Sequence, residues 1–162
     1  MRIVTLLSLA AIFPLVGCSA IESEVLYREI PARPIAEKVA VIEEMNCDNP
    51  KAVEYCAELM KAELERMGYR IADEPGALRI RFWAKLVAVR CDNPEDDYTS
   101  SGFLIRVYHP YPGVKHFPNK ILELSDGRTS YITFERALLY IHCKDVVPRM
   151  LKKMDECLFP AN

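Results

Sequence analysis

The chain is poor in several of the residues that carry common chemistries. Six glycines in 162 residues leave little room for a phosphate-cradling loop, and no G-x-S-x-G or H-E-x-x-H pattern occurs. Only three histidines and one tryptophan are present, and no C-x-x-C pair exists, which excludes zinc-ribbon and thioredoxin-like readings. Basic excess is also missing: 21 Lys and Arg face 23 Asp and Glu, for a net charge of −2, so nucleic acid is not an expected partner. What remains is an ordinary globular composition, 51% hydrophobic and 27% charged, of a length that suits one domain.

The N-terminus is the most specific segment. Met1-Arg2 precedes the uncharged run Ile3 to Val16, which has 14 residues and falls short of the roughly 20 that span a bilayer. It reads as the apolar region of a signal peptide. Leu15-Val16-Gly17-Cys18 then resembles the lipobox of bacterial lipoproteins. The resemblance implies cleavage before Cys18 and lipidation of its sulfur. In the sorting logic of that family, Ser19 in place of Asp implies export to the outer membrane, with the body on the periplasmic face. The expected organisation is a signal peptide over 1–17, a lipidated tether over 18–36 and one folded domain over 37–162. Pro31 and Pro34 favour extended backbone in the tether, whose 17 residues from Ser19 to Ile35 would reach at most roughly 55–60 Å.

Within the body, Val39 to Ile42 has the length and β-branching of a strand. Asn49-Pro50 forms a helix start, and Val53, Cys56, Met60, Leu64 and Met67 follow at helical spacing until Gly68, which predicts a helix over about 50–67. A short strand at Tyr69 to Ile71 and a turn at Asp73 to Gly76 come next. From Leu78 the period changes to two: Leu78, Ile80, Phe82 and Ala84 share one face, and Arg79, Arg81, Trp83 and Lys85 share the other. Phe103, Ile105 and Val107 alternate in the same way in a strand over about 102–108. Asp126-Gly127 between two apolar runs predicts a type I′ hairpin turn. Residues 134–141 fit either helix or strand, and Asp145 is the expected cap of a closing helix. The order of elements predicts an α+β two-layer sandwich, with a mainly antiparallel or mixed sheet and a long N-terminal and a C-terminal helix on one face.

Five cysteines accompany Cys18, and an oxidising compartment favours at least one disulfide. Cys-Asp-Asn-Pro occurs at Cys47 and again at Cys91, each time after a strand-like run, which makes Cys47 and Cys91 a candidate bridge. His109 and His116 bracket a proline-rich loop and form a candidate metal pair, the basis of an alternative small-ligand or metal-binding role. The acidic loop Asp92, Glu95, Asp96 and Asp97 lacks the glycine turn of a calcium site. The Arg79, Arg81, Trp83 and Lys85 face is the candidate partner-binding surface, since cations around an aromatic suit an acidic protein or a glycan. No cofactor and no catalysis are expected. The anticipated role is a membrane-anchored periplasmic binding or assembly module.

Overall fold

The computed structural model describes residues 20–31, 34–89, 92–93, 98–109, 119–130 and 135–160. Six strands and two helices alternate as β1 (Ala20–Arg28), β2 (Val39–Cys47), α1 (Pro50–Arg66), β3 (Arg70–Ile71), β4 (Leu78–Val89), β5 (Tyr98–His109), β6 (Asn119–Ser130) and α2 (Glu135–Leu158). The strands form one mixed sheet in the order β1-β6-β5-β4-β2-β3. β2 runs parallel to β3 and β4, whereas β4, β5, β6 and β1 pair antiparallel. This is the α+β architecture expected.

The period-two pattern of β4 explains why the sheet has two different faces. Leu78, Ile80, Phe82 and Ala84 are buried, and Phe103, Ile105 and Val107 of β5 continue the same layer. Ala52, Cys56, Met60 and Leu64 of α1 cover this layer together with Val147, Met150, Leu151 and Met154 of α2. Each fully buried large side chain contributes about 1.5–3 kcal/mol relative to exposure. Asn49 caps α1, its side chain accepting from the Lys51 amide at 3.0 Å, and Pro50 occupies the first turn. Gly68 leaves the helix with φ of +85°, a conformation that favours glycine.

Three local expectations are corrected. The tether contains a strand: Ala20–Arg28 pairs with β6, so the folded body takes in residues ahead of Glu37. Two register shifts interrupt this edge strand, and the bulges hide the alternation that would have announced it. Asp126-Gly127 is not a turn, because β6 runs straight through it and Gly127 has no positive φ. A tertiary partner overrides the local turn preference: Arg149 of α2 takes both carboxylate oxygens of Asp126. Finally, residues 135–158 form one helix of 24 residues, with Pro148 inside it and Asp145 in its middle instead of at its cap. Arg128 and Arg149 hold the Asp145 carboxylate.

At the far end of the sheet, Lys38 ties the entry of β2 to the end of α2. Its ammonium lies 2.7 Å from Asp155 and near the rings of Tyr69 and Phe159, while the Tyr69 hydroxyl donates to Asp155 at 2.9 Å. Burial and the neighbouring Asp155 carboxylate both push the Tyr69 phenol up.

Candidate functional site on the free sheet face

The sheet face opposite the helices carries the residues singled out from β4. Glu43 of β2 binds Arg79 at 3.2 Å and Arg81 at 2.7 Å, and Asp73 takes a second nitrogen of Arg79 at 2.9 Å. Partial burial alone would raise the Glu43 carboxyl, but the hydrogen bonds and charges of Arg81 and Arg79 outweigh it and hold the group below the usual range. Arg81 also lies over the Tyr108 ring at 4.8 Å, and Arg106 of β5 lies over Trp83 at 5.0 Å. Arg106 and Lys120 share Glu123 at 2.9 and 2.8 Å, and Lys120 faces the Tyr27 ring at 4.6 Å. The face is therefore a ladder of ion pairs and cation–π contacts that runs from β2 to β1.

This ladder divides the four candidate residues. Arg79 and Arg81 spend their charge on Glu43 and Asp73 and act as sheet cross-braces. Trp83, under Arg106, and Lys85 line a groove. Asn46, Trp83, Leu104 and Ser125 are register partners across β2, β4, β5 and β6, and they form one row of the free face. In the next row Lys85 is paired with Gly102, where the absence of a side chain leaves a dip: a Cβ built there meets no atom within 4 Å. These residues line a groove of about 540 Å³, within the size range of small-ligand sites. It combines an aromatic ring, an amide, a hydroxyl and an exposed ammonium.

The other candidate residues are not drawn to this groove. His109 ends β5 at the opposite end of the strand, in a shallow depression of about 320 Å³ with Glu37 and Glu74, and burial lowers its pKa. Its proposed partner His116 lies outside the described residues, as do Cys18 and Cys91. Among the described residues, no group of three His, Cys, Asp or Glu is arranged to hold a metal. Of the candidate Cys47–Cys91 bridge, Cys47 alone is described; its thiol meets Cys56.

Two polar arrangements had no sequence signal. The Ser101 hydroxyl meets Nδ1 of His142, with both residues essentially buried (1% and 2% exposed). Burial, aided by the Arg128 charge, lowers the His142 pKa. The Asp126 carboxylate, itself without exposure, accepts from Arg149 at 2.9 Å twice, from Ser23 at 2.5 Å and from the Gly127 amide at 2.7 Å. These contacts depend on three elements meeting, which spacing along one chain does not reveal.

No family model matches the chain, and no curated protein matches it. Solved structures do. A neuraminyllactose-binding hemagglutinin homolog from Helicobacter pylori superposes with a TM-score of 0.50 at 12% identity, covering 85% of this chain and 92% of that one. A minor lipoprotein from Acinetobacter baumannii (TM-score 0.43, 12% identity, 69% and 91% covered) and the rare lipoprotein B from Shewanella oneidensis (0.40, 14%, 70% and 95%) are also similar. At these identities the likeness is one of fold, and it rests on the superposition with the Helicobacter pylori protein.

Proposed function

We propose that the protein is a lipid-anchored, non-enzymatic binding module of the bacterial envelope, held through Cys18 to the periplasmic face of the outer membrane. It takes an envelope partner, a protein segment or a glycan, on its free sheet face. The observation that supports this most is the groove of about 540 Å³ around Trp83, Lys85 and Gly102, beside the Glu43–Arg79–Arg81 ion pairs on the same face. Aromatic rings flanked by hydrogen-bonding groups suit both sugar rings and peptide side chains.

The position of the strand ends adds to this reading. Ala20 is paired with Arg128, Arg128 with Ser101, and Ser101 with Leu86, one row beyond Lys85 and Gly102. Ala20 thus lies at the groove's own end of the sheet, which is where a lipid on Cys18 would attach.

Cross-linking in intact envelopes tests the proposal. Gly102→Leu fills the dip and Trp83→Ala removes the ring; either variant should lose the cross-linked partner by tenfold or more, while Arg79→Gln retains it. Equal capture by all three variants would overturn the groove as the binding site. Labelling with radioactive palmitate should mark the wild-type chain and leave Cys18→Ser unlabelled. Absence of label on the wild type would overturn the anchor.

A further inference from the structure

Two sulfur atoms meet between the helices, and a third cysteine lies close by. Cys56 lies on the buried stripe of α1, and its sulfur is 2.7 Å from that of Cys143 on α2, 87 positions away in the chain. Both residues are fully buried. On its other contact Cys56 meets Cys47, the half-buried last residue of β2. The helices are already closely packed at this level, since Tyr55 and Tyr140 make an edge-on ring contact at 5.2 Å.

We propose that Cys56 and Cys143 form a disulfide that joins α1 to α2, and that Cys47 is the thiol through which this bond is made and opened. A disulfide bond is about 2.05 Å long, so the two sulfurs need to close by less than an ångström. Access decides the route. The hydrogen bond to Cys143 and burial push the Cys56 thiol up to about 12, and the Cys56 contact and burial push the Cys47 thiol up as well, so acidity does not single out the first nucleophile and access does. Neither Cys56 nor Cys143 meets solvent, so a soluble oxidant reaches Cys47 first.

The oxidant is a disulfide, either a small molecule or the active-site disulfide of a thiol oxidoreductase. The Cys47 thiolate attacks it, forming a mixed disulfide and releasing one thiol. Cys56 then attacks the Cys47 sulfur and releases the second thiol. Cys143 attacks the Cys56 sulfur in turn and returns Cys47 to the thiol form. In total two thiols lose two protons and two electrons, and one disulfide is reduced to two thiols. Cys56 can serve as the central sulfur because it contacts Cys143 directly and interacts with Cys47.

The full chain carrying Cys18→Ser, Cys91→Ser and Cys157→Ser leaves only these three thiols. Incubation of the reduced, folded protein with oxidised glutathione, followed by alkylation and non-reducing peptide mapping, should yield a Cys56–Cys143 linked peptide and a free Cys47. Tm should rise by roughly 5–15 °C over the reduced form. Adding Cys143→Ser should move the link to Cys47–Cys56. Adding Cys47→Ser should slow oxidation at least tenfold while unfolding in denaturant restores its rate, which separates lost access from lost reactivity. Alkylation of both Cys56 and Cys143 after oxidation, or a Cys47–Cys56 link as the main product of the three-thiol chain, would overturn the pairing. An unchanged oxidation rate without Cys47 would overturn its role.

Discussion

Arg149 of α2 grips Asp126 of β6 through two parallel hydrogen bonds of 2.9 Å, in a place where the carboxylate has no exposure at all. A bidentate pair of this kind fixes the helix against the sheet by geometry as well as by charge. Arg149→Met should destabilise the fold by about 3–5 kcal/mol in urea unfolding, because it leaves an uncompensated buried carboxylate. Removing both charges with Asp126→Leu and Arg149→Met together should recover a large part of that loss. A single variant that unfolds at the wild-type urea midpoint would show that water reaches Asp126.

Mild acid should weaken the fold through two histidines. Burial, with the Arg128 charge added, lowers the His142 pKa from 6.5, and burial lowers that of His109. The unfolded chain then binds more protons than the native one below about pH 6.5, so stability is fully present above that pH and falls as the pH drops through the window beneath it. Thermal unfolding between pH 7.5 and 5 should show this slope, and His142→Gln should flatten it. A variant whose curve runs parallel to the wild type would mean that His142 does not titrate across unfolding.

The ion-pair ladder should be worth less than its appearance suggests. Glu43→Gln removes the partner of both Arg79 and Arg81, whose side chains are 29% and 32% exposed. At such exposure the loss should stay within about 1 kcal/mol and shrink as salt is raised. Denaturant unfolding at low and high ionic strength would check both statements.

Gly102 offers a cleaner probe of the groove than any charged residue. It is exposed, its φ is not positive, and an added Cβ meets nothing within 4 Å. Gly102→Leu should therefore change stability by no more than about 0.5 kcal/mol, as surface substitutions generally do, while blocking partner capture. A loss of capture accompanied by a comparable loss of stability would remove the groove's claim to specificity.

Elements defined by local rules were legible from the residues. The Asn49-Pro50 start and the Gly68 stop delimit α1, and the strict alternation of Leu78 to Lys85 separates a core face from a free face. Elements defined by distant partners were not. Asp126-Gly127 has the chemistry of a turn, and only Arg149, 23 positions away, makes it strand. Ala20–Arg28 mixes charges with apolar residues and is broken by bulges, so its pairing with β6 leaves no periodic trace. Pro148 and Asp145 look like punctuation, yet α2 runs through both. At the candidate site, the alternation of β4 identified Trp83 and Lys85, but the carboxylates that tie down Arg79 and Arg81 come from another strand and a turn.

The first strand begins at Ala20, two positions after the cysteine expected to carry lipid. Two residues of extended chain reach about 7 Å, against the tens of ångströms that a free leash over the same segment would give. If Cys18 carries lipid as proposed, a domain attached so closely would stand on the lipid surface and could not swing out to search the space beyond. Whatever such a domain engaged would have to arrive at the bilayer, where the protein would be a fixed berth oriented by the last few bonds of its own backbone.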